Sequence, residues 1–575
     1  MFSRATRKHL KTATPFPEID EALAELGANA KKLAAMPISQ RVGLLRRCGD
    51  DTRAVAKKWV RAACGAKGIG PKTPLAGEEW LAGPWCVLRF TRLLAASLEQ
   101  IASHGRPRLP GKARRGPQGQ AIVRVFPTDW RDRLLYAGIE AKTWMQPGVT
   151  PETLEQNMAG HYRSGQKPAG ISLVLGAGNV SSIAPTDVLS RVFSQGRVVL
   201  LKMHPVNAYL GPIFQRALAA LIEEGLVRIV YGGPDAGAYA IGHEAVDDVH
   251  ITGAIATHDA IVWGAEPAEQ ARRRAADDPL LKKPISSELG NVSPVIVVPG
   301  RFTARELRFQ AENVVSMVTN NGSFNCNAAK MVLTWKDWPQ RQAFLDAMVL
   351  AFTKAPLRKA YYPGAKERYA RFTEKLPVAR IGEPGPDELP WSLIHHVPPD
   401  PDSIYFREEA FCGVLAESAL EGREPVDFLA RATAFANEKM WGTLNACLIV
   451  PRAFRWKRGR RAALEKAVAD LRYGTIGINI WPAIGYAVMS SPWGGWQGEG
   501  IGLQDVQSGL GWVHNAYMLD KAQKTVFRAP STTFPKPPWF ASHRTAHKLG
   551  PKLVALEHRP SWAKLPGIVF TALRG

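Results

Sequence analysis

From residue 169 onward, short apolar runs alternate with helical stretches, and this alternation constrains the fold more than any other feature. Ile171-Ser172-Leu173-Val174-Leu175 runs into Gly176-Ala177-Gly178-Asn179, and residues 197–201 form a second strand-like run. Residues 228–231 lead into Gly232-Gly233, and residues 249–251 into Thr252-Gly253. Short apolar strands separated by helices predict a parallel α/β sheet with binding loops at the strand ends. Gly176-Ala177-Gly178 is an incomplete dinucleotide fingerprint, because Ser181 stands where G-x-G-x-x-G has its third glycine. A strand-to-helix turn that uses glycine for backbone freedom fits it equally well.

Upstream, residues 18–65 read as helices, with Leu23, Leu26, Ala30 and Leu33 on one face. Residues 105–119 form a Pro/Gly/Arg-rich connection. A chain of 575 residues is long enough for roughly two to four domains. The longest apolar runs are far too short to span a bilayer, and no apolar stretch follows the basic residues 1–11 as a signal peptide would require. Six scattered cysteines without a C-x-x-C pair disfavour a zinc site and a disulfide framework, and they suit a reducing cytoplasm. The net charge of +23 can attract anionic partners. The basic residues are spread along the chain without a nucleic-acid-binding signature, so a solvated basic surface is expected and no nucleic acid partner.

Two segments carry chemistry. Glu288-Leu289-Gly290 precedes a strand-like run at 294–298, and Cys326 lies in a turn-like Asn/Gly-bearing segment after a helix-like one. A carboxylate and a thiol in such settings suit a general base and a nucleophile. A solvated carboxylate and an inert buried thiol are the alternative.

Both segments resemble paired motifs of the aldehyde dehydrogenase superfamily, and other segments match in order. The spacing of Asn179 and Lys202 is similar to that family's oxyanion asparagine and cofactor lysine. Tyr136-Ala137-Gly138, Thr252-Gly253-Ala254, the segment from Glu408 through Glu409 and Phe411 to Gly413, and Pro492-Trp493-Gly494-Gly495-Trp496 resemble further family segments. The resemblance implies an α/β fold with a Rossmann-like cofactor domain, an α/β catalytic domain and a small oligomerisation element. On it, residues 1–290 hold N-terminal helices and the dinucleotide-binding domain, 291–490 the catalytic domain, and 491–530 a return to the cofactor domain with an oligomerisation strand. Residues 531–575 are an extension.

The implied reaction is NAD(P)-dependent oxidation of a small-molecule aldehyde to an acid. Cys326 would be the nucleophile, Asn179 the oxyanion donor and Glu288 the activator of hydrolytic water. Lys202, Gly232, Gly253, Glu409 and Phe411 would bind NAD or NADP, and no metal is expected. A homodimer or homotetramer is implied by the same resemblance.

Departures keep alternatives open. The family's G-Q-x-C is Ser323-Phe324-Asn325-Cys326 here, the serine of T-G-S is Ala254, and Cys412-Gly413 follows Phe411 where the family has G-P. Pro205 occupies a position where NAD-preferring members carry glutamate, and with His204 it leaves NADP open. A coenzyme A-acylating enzyme and a non-catalytic binding subunit are the competing readings. Trp481, Trp493 and Trp496 are read as core packing ahead of an aromatic substrate tunnel. Residues 531–575 carry seven Lys+Arg against Glu557 alone, with several aromatics. Packing over a neighbouring subunit is the preferred reading of that tail, and peripheral contact with an anionic membrane is the other.

Overall fold

The computed structural model describes residues 13–163 and 170–575; the basic residues 1–11 lie outside the described residues. Among the described residues, two large sheets divide the chain, beside two two-stranded pairs. The first has five parallel strands in the spatial order Val227–Val230, Val198–Lys202, Ile171–Leu175, Val246–Gly253 and Ile285–Leu289. Val198–Lys202 is buried along its whole length, as a near-continuous apolar run in a covered parallel sheet should be. The strand Ile285–Leu289 was not foreseen, because Ser286, Ser287 and Glu288 interrupt its apolar pattern. Its pairing sets Glu288 beside Thr252.

Helices cover this sheet. Phe16–Ala35 turns Ile19, Leu23, Leu26, Ala30 and Leu33 inward, and Ile38–Ala66 follows after Pro37. Leu23, Leu26, Ala30 and Leu33 recur every three or four residues, which places them on one helical face.

The second sheet has eleven strands. A parallel group containing Ser293–Val297, Ala329–Trp335, Val414–Leu420, Asn445–Ile449 and Thr475–Ile478 forms its body. Ala522–Arg528 pairs with Thr475–Ile478 on one side and antiparallel with Glu140–Met145 on the other. The strand that the family resemblance assigns to oligomerisation thus has both edges taken within this chain.

Within residues 531–575, a helix packs on the chain's own N-terminal helices. The helix Ala546–His558 buries Leu549, Leu553, Val554 and Leu556. It seats against the N-terminal helices so closely that a Cβ on Gly77 would meet the Ala546 Cβ at 2.4 Å. Glu557 pairs there with Arg89, which also holds Asp132. The tail's single acid is therefore a buried ion-pair partner, which composition could not reveal.

Candidate active site

A cavity of about 1440 Å³ opens at the carboxyl ends of the first sheet's strands and reaches across to the second sheet. Asn179, Lys202, Gly253, Glu288, Cys326, Glu409 and Phe411 all line it. Of the expected residues Gly232 is not on its wall; the adjacent Gly233 is. Gly232 is turned away with φ +145°, and a Cβ there would lie 2.5 Å from that of Ala236.

Cys326 follows an unusual turn. Asn321, Gly322 and Ser323 have φ of 53°, 66° and 68°, a left-handed run that costs about 1 kcal/mol for each non-glycine residue. Side chains hold it in place. The Asn321 amide donates to the backbone oxygens of Asn179 and Phe324 at 3.2 and 3.0 Å. Phe324 packs edge-on to Tyr361 at 4.9 Å and near Tyr362 and Phe411. The departure from the G-Q-x-C pattern thus has a physical reason, since an aromatic cluster anchors the loop.

The Cys326 thiol donates to Glu288 Oε1 at 3.6 Å. The same oxygen accepts the Trp493 indole N–H at 2.7 Å, and Glu288 Oε2 is buried without a hydrogen-bond partner. Burial pushes the Glu288 carboxyl up to about 8, against the pull of the Trp493 and Cys326 hydrogen bonds. Burial also raises the Cys326 thiol well above its ordinary range, with the Glu288 and Glu409 charges adding to the rise. The Lys330 ammonium opposes that rise. Lys330 donates to the Asn325, Cys326 and Ala328 carbonyls and pairs with Glu409 at 3.0 Å. The Glu409 carboxylate lies against Gly290, where a Cβ would stand 2.0 Å from Oε2, so a side chain there would displace the Glu409 carboxylate.

Asn179 donates one amide N–H to the Phe324 carbonyl at 3.1 Å. Among the described residues its second amide N–H and the Cys326 backbone N–H donate to no protein group. Lys202 is buried on the cavity wall, and among the described residues its ammonium has no hydrogen bond or ion pair. Burial lowers its pKa. Beside it, burial and Lys202 hold His204 down at about 4, so the ring is neutral near pH 7 and adds no positive charge. The helices Pro234–Gly242 and Ile255–Trp263 begin on the same wall without a side-chain cap, leaving first-turn N–H groups for an anion.

The family profile described as "Aldehyde dehydrogenase family" matches residues 136–363. The segment 136–363 is therefore similar to that family. Its fold is that of several solved structures. An NADP-dependent glyceraldehyde-3-phosphate dehydrogenase from Bacillus halodurans C-125, complexed with NADP, is 17% identical with a TM-score of 0.60, over 90% of this chain and 92% of that one. Aldehyde dehydrogenase 21 from Physcomitrella patens, in complex with succinate, is 15% identical with a TM-score of 0.60, over 90% of both chains. The glyceraldehyde-3-phosphate dehydrogenase GapN from Methanocaldococcus jannaschii is 14% identical with a TM-score of 0.59, over 90% and 96%.

Trp493 packs in the core, as the sequence predicts, and its indole N–H also reaches Glu288. One residue of the site is not marked by any motif. Lys330, four residues after Cys326, gave no motif signal; only the turn of the loop brings its ammonium beneath the nucleophile.

Proposed function

We propose that the protein oxidises an aldehyde to a carboxylic acid through Cys326, with a nicotinamide dinucleotide as acceptor. The observation that carries this reading is the Cys326–Glu288 contact on the wall of a cavity large enough for both cofactor and substrate. A dinucleotide fits the wall: Lys202 is a buried cation without a counter-charge, Gly253 leaves room, and two uncapped helix starts await an anion. Lys202 would hold the adenosine ribose or its phosphate, Glu409 the other ribose, and Phe411 the nicotinamide face. When bound, the dinucleotide supplies the hydride acceptor.

The chain's own residues perform the remaining steps. The Cys326 thiol gives up its proton to solvent, and the Lys330 ammonium favours the thiolate, so the Glu288 carboxylate stays free for the later step. The thiolate then bonds to the carbonyl carbon while the C=O π pair moves onto oxygen. The free Asn179 amide N–H and the Cys326 backbone N–H stabilise that oxyanion, at about 3 kcal/mol per donor. After oxidation the acyl group is a thioester on Cys326. Glu288 accepts a proton from water as it attacks, the C–S bond breaks, and the acid leaves with Cys326 restored.

Purified protein, assayed for reduced nicotinamide absorbance with short, long and aromatic aldehydes, tests the reading. We expect turnover without coenzyme A, and use of NADP, since Pro205 places no carboxylate near Lys202 to repel a 2′-phosphate. Turnover only with coenzyme A would replace hydrolysis by acyl transfer. Cofactor binding without turnover across the panel would favour a non-catalytic subunit. A dimer or tetramer belongs to the same proposal, with contacts other than the already paired edges of Ala522–Arg528.

A further inference from the structure

The last helix, Leu565–Leu573, contains no charged residue. Its inner face, Leu565, Ile568 and Thr571, is buried on the body of the protein. Its outer face is also apolar, yet it stands in water: Val569 is 39% exposed, Phe570 62% and Leu573 49%. A helix that is hydrophobic all round is ordinarily covered on every side, so this outer face is a surface awaiting an occupant.

The surrounding surface is built to match. Trp562, 65% exposed, stacks face to face on Trp130 with ring centroids 3.6 Å apart. That contact fixes the indole and brings in the short helix Trp130–Leu135, whose Leu134 is 50% exposed and whose Arg133 is exposed beside it. Cations border the face. Arg574 lies 5.4 Å over the Phe570 ring, and Arg559 is exposed where it pairs with Asp50 at 3.8 Å, while the Lys564 ammonium is turned onto the Ala555 and Arg559 carbonyls. The only acid of residues 531–575, Glu557, is turned inward onto Arg89 and Arg92. Every exposed charged side chain of this extension is therefore positive.

We propose that this face, formed by Trp562, Val569, Phe570 and Leu573 with Arg574 and Arg133, docks on an anionic phospholipid bilayer. Aliphatic and aromatic side chains enter the boundary between headgroups and acyl chains, where tryptophan is favoured, while the bordering cations meet lipid phosphates and carboxylates. Among the described residues no helix is long and apolar enough to cross a membrane, so the contact lies on the surface. A second copy is a poorer occupant. A contact between two copies of this face would bring Arg574 and Arg133 of each onto a surface whose extension has no exposed carboxylate to answer them. Nucleic acid would satisfy the cations but leaves Val569 and Leu573 with no base to stack on.

Sedimentation of the full-length protein with vesicles of phosphatidylcholine, alone or mixed with phosphatidylserine, tests the proposal. Binding is expected to the mixed vesicles, to weaken as salt is raised, and to be at least about tenfold weaker to phosphatidylcholine alone. The double variant Phe570→Ser with Leu573→Ser changes only exposed side chains; it should melt like the parent and lose about tenfold in vesicle binding. Failure of the parent to sediment with mixed vesicles at low salt would overturn the proposal. So would vesicle binding by the double variant equal to the parent's. Light scattering that finds a self-associated parent and a dissociated double variant, with neither binding vesicles, would assign the face to a second copy instead.

Discussion

The Trp493 indole N–H and the Cys326 thiol converge on one oxygen, Glu288 Oε1, from 2.7 and 3.6 Å. The carboxyl group is thereby aimed at the nucleophile, while burial keeps it protonated to unusually high pH. Substitutions around this contact separate the aiming from the ionisation.

Replacing Trp493 by Phe keeps a ring in the pocket and removes the N–H. That hydrogen bond favours the charged carboxylate, so its loss raises the Glu288 pKa from about 8. The alkaline-going rise of kcat, which follows formation of the carboxylate, should move up by about one unit. A kcat–pH profile of Trp493→Phe that is unmoved, or moved to lower pH, would contradict the assignment.

Lys330→Gln removes the cation that opposes the rise of the Cys326 thiol and leaves Glu409 without its partner. Less thiolate forms at a given pH, so alkylation of Cys326 by iodoacetamide near pH 8 should slow by about tenfold. The unpaired buried Glu409 should also lower stability by about 3 kcal/mol, measured from the denaturant midpoint. Unchanged alkylation would remove Lys330 from the account.

Arg89→Met leaves the buried Asp132 without its arginine and removes one of the two arginines that tie Glu557 to the N-terminal helices. A loss of about 3 to 5 kcal/mol in unfolding free energy is expected, read in guanidinium chloride. An effect below about 1 kcal/mol would mean that the Arg92–Glu557 pair and the apolar face of Ala546–His558 suffice to hold the extension.

Much of the first sheet was legible because buried parallel strands must be apolar runs, as Ile171–Leu175 and Val198–Lys202 are. Ile285–Leu289 was hidden because its inward positions carry Ser287 and Glu288, a local conflict that a catalytic position can require. Cys326 and Glu288 stood out by motif, but nothing in chain spacing could bring them within contact. Strand order does so, by placing the last strand of one sheet next to the loop that enters the other. The destination of residues 531–575 was equally hidden, because it depends on Arg89, a residue 468 positions from Glu557.

The most direct test of the account is the first turnover of Glu288→Gln, followed by rapid mixing with aldehyde and cofactor. If Glu288 activates the water that frees the acyl group, the variant should retain a burst of reduced cofactor close to one per site. Its steady-state rate should then fall by about a hundredfold or more. Burst and steady state lost together would mean that Glu288 is needed before the thioester forms, and the division of labour proposed for the Cys326–Glu288 pair would be wrong.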